Sequence, residues 1–258
     1  MNHQLQNILA HNTTPQRIIS LVPSQTELLC DLGLEASIVG VTKFCVHPNF
    51  IRAKSSVIGG TKQIHIEKIR ALKPDIILCN KEKNTKQIVE DCEAIAPVHI
   101  SDIYNIEDSI ILIKQYGIIF KKEHEALNII SDIEIELKEF ENFVEKRVAY
   151  KTVYFIWKSP WMVVANNTFI NSLMKLNKFD NYFKDKLRYP EIKLQKQEHV
   201  DLVLLSSEPY PFKKRHIVEL KVFYPNAKIY LVDGEMFSWY GSRLAKAIKY
   251  FKSLHESL

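Results

Sequence analysis

The stretch between residues 123 and 146 constrains the fold more than any other part of the chain. Its apolar residues recur at three- and four-residue spacing, and it contains neither glycine nor proline. They are Ala126, Leu127, Ile130, Ile133, Ile135, Leu137, Phe140 and Val144. This period predicts one helix of about 24 residues, roughly 36 Å long. A single rigid helix of that length can join two lobes, and it restricts their closure more than a hinge of strands does. The alternative is a long helix within one domain.

On both sides of this stretch, short apolar runs alternate with helical patterns, which is typical of parallel β-α-β structure. Strands are predicted at 17–21, 37–42, 75–79 and 97–101 in the first half, and at 152–157, 161–165, 201–206 and 228–233 in the second. The predicted fold class is α/β, with two similar lobes of mainly parallel sheet joined by one long backbone helix. We place the first lobe at 1–120, the connecting helix at 121–147 and the second lobe at 148–258.

The start of the first predicted helix carries a local signal. After the strand at 17–21, a turn at 22–25 is followed by a helical pattern over 26–34. Ser24 stands where a helix N-cap is expected, and Glu27 follows three residues later. This spacing predicts a capping box, in which the two side chains satisfy free backbone N–H groups.

Composition excludes several classes of protein. The 258 residues are 46% hydrophobic and 25% charged, which is enough to bury a sizeable core. The longest apolar runs are four or five residues, whereas a membrane span needs ~18–20, so the chain is not expected to span a membrane. The net charge of +5 comes from 35 Lys and Arg interleaved with 30 Asp and Glu. That pattern favours a solvated surface over a nucleic-acid site.

The N-terminus and the cysteines bear on the compartment. Residues 1–16 are polar and show no basic, apolar or lipobox feature of an export signal. Either the protein stays inside the cell, or its signal lies outside this sequence. The four cysteines have no paired spacing, so no disulfide framework is expected. Cys30 and Cys79 stand among apolar residues and are interpreted as small core side chains.

Four segments carry a resemblance to a known family. They are RIISLVPSQTELLCDLGL (17–34), VGVTKFCVHP (39–48), IGGTKQIHIEKIRALKPDIILCN (58–80) and DGEMFSWYGSRL (233–244). With these four segments in this order, the chain resembles the substrate-binding proteins of ABC importers that have a helical backbone between the lobes. Its resemblance is strongest to the vitamin B12-binding branch, with siderophore- and haem-binding relatives further off.

The resemblance implies a class III periplasmic-binding-protein fold and a non-enzymatic role in solute capture. It implies a metal-bearing ligand, with a cobalt corrinoid as the first choice and haem or a ferric siderophore as the second, and no intrinsic cofactor. It also implies an ABC permease as partner, a monomeric protein and a periplasmic or cell-surface location.

Ligand-binding residues are expected where the parallel strands end, because ligands bind outside the carboxyl ends of such strands. Asn80 follows a predicted strand, and several rings fall in loops at or near the same edge. Aromatic clefts suit a large, flat, partly apolar ligand. By resemblance, Phe44, Trp161 and Tyr189 match cleft aromatics, and Glu235 matches an acidic ligand contact. The predicted set is therefore Phe44, Asn80, Trp161, Tyr189, Glu235 and Trp239; the alternative is that the rings are ordinary core aromatics.

Two glutamates are candidates for docking to the permease. In the family that the chain resembles, each lobe presents a surface glutamate to permease arginines. Glu67 matches the first position, and the second falls near Lys193, with Glu191 two residues away. Charge pairs of this kind orient an encounter, and two sites act together. The alternative for each is an ordinary solvated side chain.

Metal-binding and catalytic patterns are sparse. Cys45, His47 and His65 lie on neighbouring predicted loops and are the candidate metal ligands, for example as an axial ligand to a metal-centred macrocycle. Their spacing matches no structural zinc site, and the alternative is that none of them binds metal.

No nucleophile elbow, phosphate-binding loop or dinucleotide motif is present, so the chain is not expected to be an enzyme. A cytoplasmic sensor, carrier or enzyme of cofactor metabolism on the same fold is the alternative function.

Overall fold

Two sheets of mainly parallel strands, one in each half of the chain, form the framework of the fold. The computed structural model describes residues 6, 8, 9 and 13–258, and the chain divides into two units. The first unit comprises Met1–Asp102, Glu107–Ile133 and Tyr240–Arg243, and the second comprises Ile103–Ile106, Glu134–Trp239 and Leu244–Leu258. The α/β class with two lobes is therefore confirmed. The lobe boundaries at residues 120 and 148 remain a prediction.

The sheet of the first unit is entirely parallel, and its strands lie in the order β3 (Ser56–Val57), β2 (Ile38–Val41), β1 (Ile18–Ser20), β4 (Ile76–Asn80) and β5 (Val98–Ser101). Its central strands β1 and β4 are fully buried and consist largely of Ile and Leu, as expected for strands covered on both faces. The helices that follow in the chain are α1 (Pro23–Asp31), α2 (Ile51–Lys54), α3 (Ile66–Ala71), α4 (Lys86–Glu93) and α5 (Ile106–Phe120), with a 3-10 turn at Glu35–Ser37.

The sheet of the second unit is built around one long strand, β6 (Tyr150–Trp157). This strand pairs in parallel with β8 (Phe179–Asn181) and β9 (Leu202–Ser206), and antiparallel with β7 (Met162–Val163). β10 (Lys228–Val232) extends the sheet in parallel beyond β9. The remaining helices are α7 (Phe169–Leu176), α8 (Lys214–Lys221), α9 (Gly234–Ser238) and α10 (Arg243–Ser257).

The predicted backbone helix is confirmed as α6 (Glu123–Glu145), a continuous helix of 23 residues. Its first half belongs to the first unit and its second half to the second. Five residues of the predicted apolar stripe are buried, namely Ala126, Ile130, Ile133, Phe140 and Val144. Leu127 and Ile135, which the predicted series included, are more than half exposed, because they lie beside the buried face of the helix and not on it. Within the described residues, none of the helices combines the length and the apolar character needed to cross a membrane.

The predicted capping box at the start of α1 is wrong. The helix begins at Pro23, and Val22 is its N-cap without a side-chain hydrogen bond. Proline suits the first helical position, because its missing N–H would have no partner there and its φ is already helical. The Glu27 carboxylate pairs with Arg243.

Candidate functional site

The first sheet brings several loops to one edge. Since its strands are parallel, the residues that follow β1, β2, β4 and β5 emerge at their common carboxyl end, where α/β folds bind ligands. The segments that follow are Pro23–Gln25, Lys43–Phe44, Lys81–Glu82 and Asp102. We call this the first strand-end edge.

Phe44 is the exposed aromatic residue of this edge, with 49% of its surface accessible. The Lys43 ammonium lies 5.1 Å from the centre of its ring. Gly60 packs against the same ring, since a Cβ there would lie 3.2 Å from the Phe44 Cε2 atom. The ring is therefore supported from one side by the loop after β3, and it presents apolar surface to solvent beside a cation.

Asn80 has a different position from the one expected of a ligand contact. It is buried, and its amide nitrogen donates to the Ser101 carbonyl and hydroxyl oxygens, each at 3.0 Å. Its amide oxygen accepts hydrogen bonds from the backbone N–H groups of Glu82 and Lys83. The side chain of Asn80 thus positions the turn after β4, and ligand contact through this amide remains a prediction.

Beneath the first strand-end edge lies a buried polar network that the sequence did not reveal. The Gln25 amide nitrogen donates to the Ser101 hydroxyl at 2.6 Å and to the Tyr240 hydroxyl at 3.0 Å. Its amide oxygen accepts from the Tyr116 hydroxyl at 2.9 Å. Burial raises the pKa of Tyr240 to about 12, so its hydroxyl remains protonated and neutral. The network fixes the start of α1 against β5, α5 and the residue before Gly241.

The second sheet forms a corresponding edge at the carboxyl ends of its parallel strands β6, β9 and β10. The segments that follow are Trp157–Lys158, Ser207–Tyr210 and Asp233–Glu235. We call this the second strand-end edge. Trp157, the last residue of β6, is 37% exposed, and its ring meets that of Tyr210 edge-on at 5.7 Å. Trp157 was not among the predicted ligand residues.

Trp161 is half-buried beside the same edge, just before β7. Its ring stacks on Phe212 at 6.1 Å and meets Phe155 edge-on at 5.4 Å. The Lys158 ammonium lies 5.2 Å from the ring centre, and it also pairs with Glu219. Trp161 therefore belongs partly to the core of the second unit, while retaining exposed surface.

Trp239 is buried, and its polar atom has an internal partner. Its indole N–H donates to the Glu208 carboxylate at 3.0 Å, and the Ser238 hydroxyl donates to the same oxygen at 2.7 Å. The cluster joins the loop after β9 to the end of α9. Sequence reasoning missed Glu208 as the partner, because the two residues are 31 positions apart.

Tyr189 and Glu235 are both half-buried. The Arg188 guanidinium lies between two rings, 5.7 Å from the centre of Tyr189 and 5.9 Å from that of Tyr104. Glu235 lies in the first turn of α9, and its backbone N–H donates to the N-cap side chain of Asp233. That Phe44, Trp161, Tyr189, Glu235 and Trp239 share one pocket remains a prediction.

The three candidate metal ligands do not form a metal centre. In the part of the chain that the structure describes, no three His, Cys, Asp or Glu side chains are grouped so that they could hold a metal ion. Cys45 is buried, its sulfur accepts a hydrogen bond from Thr26 at 3.1 Å, and burial raises the pKa of its thiol. An axial bond from His47 or His65 to the metal of a bound macrocycle remains a prediction.

The two candidate docking glutamates are at the surface. Glu67 lies in the first turn of α3 with its side chain 80% exposed, and it pairs loosely with Arg70 at 3.7 Å. Ile69, on the same short helix, is fully buried and anchors it. Glu191 is exposed beside Met162, with which it forms an isolated bridge. Docking through either residue remains a prediction.

Two α/β lobes joined by one long helix define the class III fold of binding proteins. The structure of the periplasmic haem-binding protein from Roseiflexus sp. RS-1 matches this fold with a TM-score of 0.81 at 14% identity, over 94% of this chain and 98% of that one. In sequence, residues 18–200 match the profile of the periplasmic binding protein family. The chain belongs to this family.

Two curated relatives narrow the comparison. The vitamin B12-binding protein of Pectobacterium atrosepticum is 25% identical over 185 residues, which cover 69% of this chain and 66% of that protein. An ABC transporter substrate-binding lipoprotein of Bacillus subtilis is 25% identical over 173 residues, covering 63% of this chain and 54% of its own length. The chain thus spans less than two thirds of the length of either relative.

Proposed function

We propose that this protein is the non-enzymatic solute receptor of an ABC importer, acting in the periplasm or at the cell surface. It captures a metal-bearing compound and delivers it to the permease. A cobalt corrinoid is the first choice of ligand, and haem or a ferric siderophore is the alternative. The similarity to a vitamin B12-binding protein over most of the chain supports this order of ligands.

The observation that carries the proposal is the presence of accessible aromatic surface at both strand-end edges. Phe44 provides it in the first unit, and Trp157 and Trp161 provide it in the second. Aromatic faces bury large areas of a flat ligand and lose little conformational entropy when they do so. Lys43 and Lys158 lie against these rings, and their ammonium groups suit the polar periphery of such a ligand.

Calorimetric titration of the purified protein tests the ligand class. The probes are cyanocobalamin, dicyanocobinamide, haemin, a ferric hydroxamate and a ferric catecholate. We expect saturable one-to-one binding of at least one of them, with a corrinoid the tightest. At 100 times its dissociation constant, that ligand stabilises the fold by about 2.7 kcal/mol in a thermal unfolding assay. Absence of binding by every probe would contradict the proposal. If haemin or a ferric siderophore binds most tightly, that compound and not a corrinoid is the ligand.

A pair of variants in the first unit locates the contact. Phe44→Ala is expected to weaken binding at least tenfold, because it removes the exposed ring of the first strand-end edge. Phe50→Ala is the matched control. The Phe50 ring is also partly exposed, and the Lys54 ammonium lies 4.6 Å from its centre. Phe50 does not follow a strand directly, so its loss should leave affinity within twofold. Equal effects of the two substitutions would contradict the assignment of this edge.

A further inference from the structure

Glu208 is a half-buried carboxylate at the second strand-end edge, two residues after the end of β9. Its Oε1 atom accepts hydrogen bonds from the Ser238 hydroxyl at 2.7 Å and from the Trp239 indole N–H at 3.0 Å. Among the described residues, none donates to its other oxygen, Oε2, and none forms an ion pair with the carboxylate. Solvent reaches Oε2. One carboxylate oxygen is therefore held by the protein, and the other is open.

The backbone that carries Glu208 is fixed on both sides. The Ser206 hydroxyl donates to the Glu208 carbonyl at 2.5 Å, and the Ser207 N–H donates to the Val232 carbonyl at 3.0 Å. Gly234 packs directly against this turn, since a Cβ at that position would lie 2.7 Å from the Glu208 Cγ atom. Only glycine leaves room for the glutamate there. A carboxylate placed this firmly can bind a ligand without a further cost of ordering its side chain.

An open oxygen on a carboxylate without a cation distinguishes between ligands by their charge. Glu219, in the same unit, has its negative charge matched by Lys158, whereas Glu208 has no such partner among the described residues. A ligand that brings an N–H group to Oε2 replaces the water there with a hydrogen bond to a charged acceptor. A ligand that brings a carboxylate places two like charges together as water leaves, which disfavours binding.

We propose that Glu208 determines ligand specificity at the second strand-end edge. Its Oε2 atom accepts a hydrogen bond from an amide N–H of the ligand, and its charge excludes ligands that are bordered by carboxylates. The Ser238 and Trp239 donors hold Oε1 and so keep Oε2 directed outward. This inference rests on the proposed function and selects among its ligands. Corrinoids carry amides around the ring, whereas haem carries carboxylates, so Glu208 favours a corrinoid.

Calorimetric titration of the full chain with two corrinoids tests the inference. Dicyanocobinamide and dicyanocobyrinic acid share the ring and the cobalt, but the first carries amides at its periphery and the second carries carboxylates. We expect the wild type to bind dicyanocobinamide at least about tenfold more tightly. Glu208→Gln keeps an oxygen for Ser238 and Trp239 and offers the ligand a neutral amide. The ratio of the two dissociation constants should therefore change by about tenfold towards dicyanocobyrinic acid.

Glu198→Gln is the matched control, because it removes the same charge from an exposed glutamate that precedes β9, at the opposite end of the strand. It should leave the ratio within about twofold of the wild type, since solvent and salt screen a distant charge. An unchanged ratio in Glu208→Gln, or an equal change in Glu198→Gln, would overturn the inference and leave the proposed function standing.

The wild type alone gives a second test, which does not depend on the folding of any variant. If it binds dicyanocobyrinic acid as tightly as dicyanocobinamide, Glu208 does not determine specificity. If it binds neither corrinoid, the proposed corrinoid ligand fails and the inference fails with it. Circular dichroism of Glu208→Gln shows whether a change in its affinities reflects ligand contact or loss of the fold.

Discussion

The carboxylate of Glu27 and the guanidinium of Arg243 form a two-point ion pair inside the first unit. The Arg243 Nε and Nη2 atoms donate to the two carboxylate oxygens at 2.7 and 3.0 Å. The side chains of Arg243 and Glu27 are only 5% and 6% exposed, respectively. The pair anchors the segment from Tyr240 to Arg243, which belongs to the first unit although the rest of α10 belongs to the second. At Gly241, φ is +88°, and the backbone N–H donates to the Ser109 hydroxyl, so the segment is held at several points.

Removal of one member of this pair should destabilise the protein strongly. Arg243→Met leaves the Glu27 carboxylate buried without its cation, and we expect the free energy of unfolding to fall by about 3–5 kcal/mol. Urea denaturation followed by circular dichroism measures the change. The matched control is Arg70→Met, which breaks the exposed pair with Glu67 and should cost less than about 1 kcal/mol.

The double variant Glu27→Met/Arg243→Met separates charge from packing. Replacing both members of a buried pair by apolar side chains is often neutral, so the double variant should recover most of the loss. If Arg243→Met costs no more than Arg70→Met, the buried pair does not anchor the segment.

Phe44 and Trp161 should respond differently to truncation. Trp161 stacks on Phe212 in the core of the second unit, so Trp161→Ala is expected to lower the free energy of unfolding by about 2 kcal/mol, less than a fully buried tryptophan would. Phe44→Ala should cost less than about 1 kcal/mol, since half of its surface is exposed. Unfolding and ligand titration on the same samples distinguish the two. A Trp161→Ala variant of unchanged stability would mean that the ring packs only against ligand.

Most of the framework could be predicted from the sequence because its signals are local. The apolar period of α6 and the short apolar runs of β4 and β9 do not depend on distant residues. The helix α5 was missed, because its run of isoleucines shows no clear amphipathic period. The start of α1 was misplaced, since the tertiary partner of Glu27 lies 216 residues away and outweighs the local capping signal.

The candidate site was less predictable for the same reason. A residue that follows a parallel strand can be placed at the correct edge, as Phe44 was. Whether its side chain turns outward depends on partners that sequence does not show. Asn80 bonds to Ser101 and Trp239 to Glu208, so both turn inward. Trp157 is the last residue of the largely buried strand β6, and its side chain is still accessible to solvent. The pattern of apolar residues along β6 does not predict this.

Two buried histidines should make the protein sensitive to mild acid. Burial lowers the pKa of His99 and of His255 to about 4, whereas a histidine in the unfolded chain titrates near 6.5. Between these values the unfolded chain binds more protons, so stability is complete above about pH 6.5 and falls as the pH is lowered towards 4. Each histidine contributes up to about 3 kcal/mol to this loss. Urea denaturation at pH 7.5, 6.0 and 5.0 measures it.

A substitution that keeps the ring but removes the proton site checks this cause. His255 stacks on Phe179 at 5.2 Å and lies near Phe140, so His255→Phe retains the aromatic packing. It should flatten the pH dependence in part, because His99 and His216, whose pKa burial also lowers, remain. His124→Gln, at an exposed position on α6, should keep the pH dependence of the wild type. If His255→Phe leaves the slope unchanged, the acid sensitivity comes from other groups.

Glu67 should contribute to docking on the permease and not to folding or ligand binding. Its side chain projects from α3 while Ile69 holds the helix to the core, so Glu67→Ala should change neither folding nor ligand affinity measurably. An exposed carboxylate mainly orients an encounter, and its effect is screened by salt. Binding to permease in nanodiscs should therefore weaken several-fold at low ionic strength and approach the wild type at high salt.

Glu90→Ala, at an exposed position on α4, is the control, and Glu191→Ala should give a smaller effect of the same kind. Loss of ligand binding in Glu67→Ala, or equal effects of Glu67→Ala and Glu90→Ala, would refute the docking role.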